Sequence, residues 1–169
     1  MTANRLVSET ERQALEAGDT GFEASLINGR PDWQWFDQLG SARLGDEEQE
    51  FLDGVVEEFC RLVDEEEIAR SEEQDMPQAA WDFAKEHRLF GVEIPKEYGG
   101  KGFSALCHSA FVHKVASHSF AAAINVMVPN SLGPAELILK YGTQSQKDYY
   151  LPRLACGEEI PCFGLTEPG

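Results

Sequence analysis

Residues 46–68 read DEEQEFLDGVVEEFCRLVDEEEI, and Phe51, Leu52, Val55, Val56, Phe59, Cys60, Val63 and Ile68 recur largely at three- and four-residue steps. That recurrence marks one face of a helix, so the stretch predicts an amphipathic α-helix from Asp46 to about Ile68. The other face carries Glu47, Glu48, Glu57, Glu58, Asp64, Glu65 and Glu66. This is more simply a solvated face than a metal-binding carboxylate cluster, because the acids follow the polar side of the same period.

Working outward, Pro77 suits the first turn of a second helix, QAAWDFAKEHRL, that runs to Gly91. A Pro- and Gly-rich turn follows, and Ser104 can cap the helix beyond it. Gly100, Gly102 and Ala105 formally satisfy the GxGxxG/A dinucleotide fingerprint. That fingerprint needs a buried strand before it and an acid about 20 residues on, and neither is found, so a plain glycine turn is expected. FAAAINVMV, residues 120–128, is almost wholly apolar and predicts a helix buried on several sides at the centre of the core. Pro134 opens AELILKY, and Gly142 can end it. Thr143 and Gln146 form a capping box for the helix through KDYYLPRLAC, with Pro152 inside and Gly157 at its end.

Before residue 46, Ser8 to Glu11 fits another capping box, and Gly18 can close its short helix. Residues 19–45 mix Gly, Pro and Asp with Phe22, Trp33, Trp35 and Phe36, which predicts an irregular arm whose rings are covered by something apolar. After residue 157, Ile160 to Thr166 is too short for a helix after Pro161 and reads as an extended strand. A lone strand leaves its backbone groups unpaired, so further chain or a partner is expected to complete a sheet.

The 169 residues suffice for one domain, and 30 acidic against 14 basic residues give a net charge of -16. Such a chain repels phosphate backbones and anionic lipid, so nucleic acid is not an expected partner. No apolar run approaches the ~20 residues of a membrane span, which predicts a soluble intracellular chain. Cys60, Cys107, Cys156 and Cys162 sit in apolar sequence at spacings unlike zinc ligands, so they read as buried free thiols. His108, His113 and His118 are five residues apart, which on a helix turns successive imidazoles by roughly 140° and prevents a shared metal.

Three segments, GVEIPKEYGGKGFS, NSLGPAELILKYGTQSQKDYYLPRLACGE and IPCFGLTEPG, resemble in order the N-terminal part of the acyl-CoA dehydrogenase family. The resemblance covers roughly residues 47–169, and AGDTGFEASLINGRPDW with FLDGVVEEFCR is similar to the large bacterial long-chain fatty acyl-CoA dehydrogenases. It implies a mainly α fold, an N-terminal up-and-down bundle-like helical domain ending in the first strand of a β domain. The implied division is an arm at 1–45, the helical domain at 46–157, and the start of the β domain at 158–169.

The same resemblance implies FAD and α,β-dehydrogenation of a medium- to long-chain fatty acyl-CoA in β-oxidation. The family's base is a glutamate of a C-terminal helical domain, so no catalytic residue is expected before Gly169. Phe163, Leu165 and Thr166 match the family's flavin-contacting strand, and an apolar wall with a hydroxyl suits an isoalloxazine ring. Asn125, Val128 and Leu132 match the segment that lines the acyl chain. An electron-transfer flavoprotein or similar acceptor, a homo-oligomer, and a cytoplasmic or peripheral inner-membrane location complete the implications. Two other readings remain open at this point: a stand-alone helical module that binds acyl groups or a partner, and an acyl-CoA oxidase.

Overall fold

The structure is a computed structural model, and it describes residues 12–13, 22, 25–26, 28–72, 74–162 and 164. The chain divides into two compact units, 1–42 and 43–169. The capping box expected at Ser8 to Glu11 lies outside the described residues.

In the first unit, α1 (Trp33–Gln38) starts where the Asp32 side chain accepts the Trp35 N–H at 3.0 Å. The arm is thus partly helical. Its rings cover one another: the Phe22 centroid lies 5.8 Å from Trp33, 5.5 Å from Trp35 and 5.2 Å from Phe36. Each of these three partners nevertheless stays more than two-fifths exposed.

The second unit is mainly α, and no strand occurs among the described residues. Its first helix comprises α2 (Asp46–Phe51), a π turn (Leu52–Val56) and α3 (Glu57–Arg61). The long helix expected through Ile68 therefore breaks near Leu62. Asp64 causes the break by turning extended and accepting the amides of Glu66 and Glu67, which starts α4 (Glu65–Arg70) afresh. Ile68 still reaches the core, because the new helix turns its apolar residue inward. Lys114 fills the π turn from outside, donating to the Leu52 carbonyl at 2.7 Å while pairing with Glu57 at 3.0 Å.

After α5 (Gln78–Glu86), residues 89–94 run irregularly to a short 3₁₀ turn at Lys96–Tyr98. Then come α6 (Ala105–Ala116) and α7 (Phe120–Met127), the latter continuing as a second π turn, Val128–Leu132. The unit closes with α8 (Ala135–Tyr141) and α9 (Gln144–Ala155). The expected caps are present: Ser104 accepts from Cys107, and Thr143 and Gln146 form their reciprocal box. Gly157 supplies the left-handed residue after α9 at φ +69°.

The main core joins Phe59, Phe90, Phe111, Val56, Val115 and Val126, all at most 1% exposed. A smaller cluster of Ile94, Ala135, Leu151, Leu154 and Ala155 binds α8 and α9 to the segment before the 3₁₀ turn. Residues 120–128 are helical as expected, but only one face is buried. Ala122, Ala123 and Val126 face α4 and α6, whereas Phe120 is 69% exposed and Ile124 37%. An apolar composition cannot say how many neighbours a helix will have. Cys60 and Cys107 are buried as expected, but Cys156 is half-buried and Cys162 exposed, since the chain beyond α9 leaves the core.

Candidate functional site

The glycine turn can be assessed first, because its amides are accounted for. Lys101 donates to Gly91 O at 3.0 Å, Gly102 to Ile94 O at 2.8 Å and Phe103 to Val92 O at 2.9 Å. Gly99 and Gly102 take positive φ to make the turn, and no strand precedes it. The start of α6 already has an anion: the Glu48 carboxylate accepts the Ser104 amide at 2.7 Å and the Gly45 amide at 2.8 Å. These bonds, the Ser104 amide foremost, hold the Glu48 carboxyl below its usual range. The amides of residues 101–104 are thus spent on residues 91–94 and on Glu48, as in a glycine turn.

Next to this turn lies a cavity of about 360 Å³ bounded by Phe90, Ile94, Ala105, Pro129, Ala135 and Leu139, with Glu93, Asn130 and Glu136 as its polar members. Behind it, the imidazole of His108 has Nδ1 3.6 Å from Glu93, beyond hydrogen-bonding length. Its Nε2 is buried and has no hydrogen-bond partner among the described residues.

The second π turn forms one wall. Asn130 holds it: Nδ2 donates to Leu89 O at 2.7 Å and Val126 O at 2.8 Å, while Oδ1 accepts the Val92 amide at 2.8 Å. Only one orientation of the carboxamide offers its NH₂ to two carbonyls and its oxygen to an amide. Sequence reasoning missed Asn130, whose polar partners other than Val126 lie 38 and 41 residues away.

The expected acyl-lining positions sit on this same stretch. Asn125 is half-buried on α7 and donates to Asp75 at 3.4 Å. Val128 is half-buried as the first residue of the π turn, and Leu132 is its last residue. Neither Asn125 nor Val128 lines the cavity beside Asn130. Phe163, Leu165 and Thr166 lie outside the described residues. The segment leading to them is described, however: Ile160 borders a second cavity of about 470 Å³ with Trp81 and Lys85. Pro161 lies so close to Gly133 that a Cβ placed on that glycine would be 3.1 Å from Pro161 Cγ. The π turn and the start of the IPCFGLTEPG segment thus meet at Gly133. Of the strand expected over 160–166, residues 160–162 are irregular, and 163, 165 and 166 lie outside the described residues.

Among the described residues, no group of histidines, cysteines and carboxylates could hold a metal ion. None of their helices is long and apolar enough to cross a membrane.

Comparison with known proteins agrees with this arrangement of helices. Residues 46–158 match the family described as acyl-CoA dehydrogenase, N-terminal domain. The human very long-chain specific acyl-CoA dehydrogenase, mitochondrial, is 34% identical over 161 residues, covering 94% of this chain and 24% of that protein. The acyl-CoA dehydrogenase of Bacillus subtilis is 35% identical over 82 residues, covering 48% and 21%. An acryloyl-CoA reductase (NADH) of Anaerotignum propionicum is 35% identical over 127 residues, covering 72% and 30%. The chain therefore spans between a fifth and a third of the length of these relatives, and similarity to a very long-chain enzyme is consistent with the long-chain type. On the match over residues 46–158, this chain belongs to the acyl-CoA dehydrogenase N-terminal domain family.

Proposed function

We propose that the protein is a flavin-dependent acyl-CoA dehydrogenase that removes the α and β hydrogens of medium- to long-chain fatty acyl-CoA, with these residues as its N-terminal helical domain. The observation that supports this most is the meeting at Gly133. It brings the π turn that holds Val128 and Leu132 next to Pro161, at the start of the segment that continues to the flavin candidates.

In this reading, Val128, Leu132 and Asn125 line the alkyl chain, and the burial of methylenes against them, at about 0.8 kcal/mol each, favours longer chains. Phe163 and Leu165 provide an apolar wall for the isoalloxazine ring, and the Thr166 hydroxyl a donor toward its heteroatoms. That donor set fits a flavin, whose chemistry when bound is acceptance of the β-hydride. The base that takes the α-proton is a glutamate outside these residues. Glu48 and Glu57, whose carboxyls are held low by the Ser104 amide and by Lys114, are tied into helix contacts and are not candidates. The electron acceptor is an electron-transfer flavoprotein or a protein like it, and the working form is a homo-oligomer.

The test compares two proteins. The gene product read to its natural stop codon is expected to reduce an acceptor dye with palmitoyl-CoA, and failure with every acyl-CoA from octanoyl to eicosanoyl would overturn the assignment. The 169 residues alone are expected neither to retain FAD nor to turn over. Flavin-dependent turnover by them would refute the placement of the base elsewhere.

A further inference from the structure

We propose that Asn130 is the positioning residue of the alkyl-chain wall: its carboxamide clamps the π turn Val128–Leu132 to residues 89–92 and so fixes where Val128 and Leu132 stand. The inference rests on the reading of those two residues as acyl-lining.

A π turn hydrogen-bonds at five-residue rather than four-residue reach, and it is poorly self-sustaining. Here it also contains Pro129, which brings no N–H of its own. Its polar side chains instead take up carbonyls of the last turn of α7: Ser131 Oγ donates to Met127 O at 2.8 Å, and Asn130 donates to Val126 O at 2.8 Å. Only the Asn130 bonds also reach out of the helix, to Leu89 O and to the Val92 amide. Leu89 and Val92 are fully buried, so their backbone groups cannot turn to water if the carboxamide is lost. The segment they belong to is closely packed, because Gly91 between them abuts Ala155 of α9. Asn130 therefore ties the wall to a buried, closely packed segment of the unit.

Two substitutions separate this role from general stability. Asn130→Asp keeps the acceptor for Val92 but sets an oxygen against the carbonyls of Leu89 and Val126, and Asn130→Ala removes all three bonds. Thr143→Ala, which loses the capping box of α9 away from the wall, is the control for stability alone. Palmitoyl-CoA is titrated into each methyl-labelled protein while the Val128 and Leu132 methyl resonances are followed. We expect both resonances to shift in the wild type, an affinity about tenfold weaker in the Asn130 variants, and a change within about twofold in Thr143→Ala.

Unmoved Val128 and Leu132 methyls in the wild type would refute the acyl-lining reading and this inference with it. Shifts in the wild type with unchanged affinity in folded Asn130 variants would refute the inference alone. An equal loss in Thr143→Ala, or the failure of both Asn130 variants to show a cooperative urea transition, would make Asn130 a residue of the fold in general and overturn the positioning role.

Discussion

Replacing Gly91 with alanine probes the joint on which the wall depends. A Cβ at Gly91 would lie 2.7 Å from Ala155 Cα, 2.9 Å from Ala155 Cβ and 3.2 Å from Ala155 O. Carbon atoms rest at about 3.5–4.0 Å, so residues 90–92 and α9 would have to part by roughly 1 Å. None of these contacts is the tip of a flexible side chain that could swing aside. Overpacking of this kind costs about 1–3 kcal/mol, and two fixed backbones argue for about 2.

In a urea titration with a slope of about 1–3 kcal/mol/M, a loss of that size lowers the midpoint by roughly 1 M. Ala155→Gly removes the 2.9 Å contact but leaves the 2.7 Å one. The double variant should therefore recover only part of the loss, while paying about 1 kcal/mol for a glycine in a helix. The displacement should also loosen the Val92 amide from Asn130 and speed its hydrogen exchange. A loss below about 0.5 kcal/mol with an unchanged slope would place Gly91→Ala among ordinary surface changes and refute the close-packed joint.

Acid stability offers a second check. The folded Glu48 carboxyl is held below the ordinary carboxylate range by the Ser104 and Gly45 amides, so its contribution is present above its unfolded value and is lost as pH falls through the lower folded one. Glu48→Gln is expected to flatten the acid limb of stability against pH, measured by urea titrations from neutral pH downward. An unchanged limb would count against the bonds to Ser104 and Gly45. Thiol labelling gives a third check, because burial pushes the Cys60 and Cys107 thiols up to about 11 while Cys162 is exposed. Iodoacetamide at neutral pH should modify Cys162 in the native protein and reach Cys60 and Cys107 only on unfolding, as mass mapping would show. Prompt labelling of Cys107 would contradict its place in the core.

The elements legible from residues were those with local causes. Apolar spacing and a cap residue within three positions located α6 and α9 and the close of α9 at Gly157, because periodicity and capping act within a turn or two. The break before α4 was not legible, since Asp64 continues the acidic face of the preceding helix and differs from its neighbours only in accepting two amides. Neither π turn announces itself, because the side chains that sustain them, Lys114 and Asn130, act across the tertiary fold. For the candidate site, the family's motifs point to Asn125, Val128, Leu132, Phe163, Leu165 and Thr166. The carboxamide that ties Val126 to Leu89 and Val92 follows only from the folded arrangement.

The second π turn also makes the length of its segment matter as much as its composition. A five-residue reach accommodates one residue more per turn than a regular helix needs, so residues 128–132 behave as a helix with a single residue of slack. Deleting one of them would turn the five-residue reach into a four-residue one and leave an α-helix with nearly unchanged phase downstream, whereas the same deletion within α6 would rotate everything after it by about 100°. The extra residue is thus a local device: its loss would spare the phase of the helices that follow and would fall on the bulge that sets Asn130 against Leu89 and Val92.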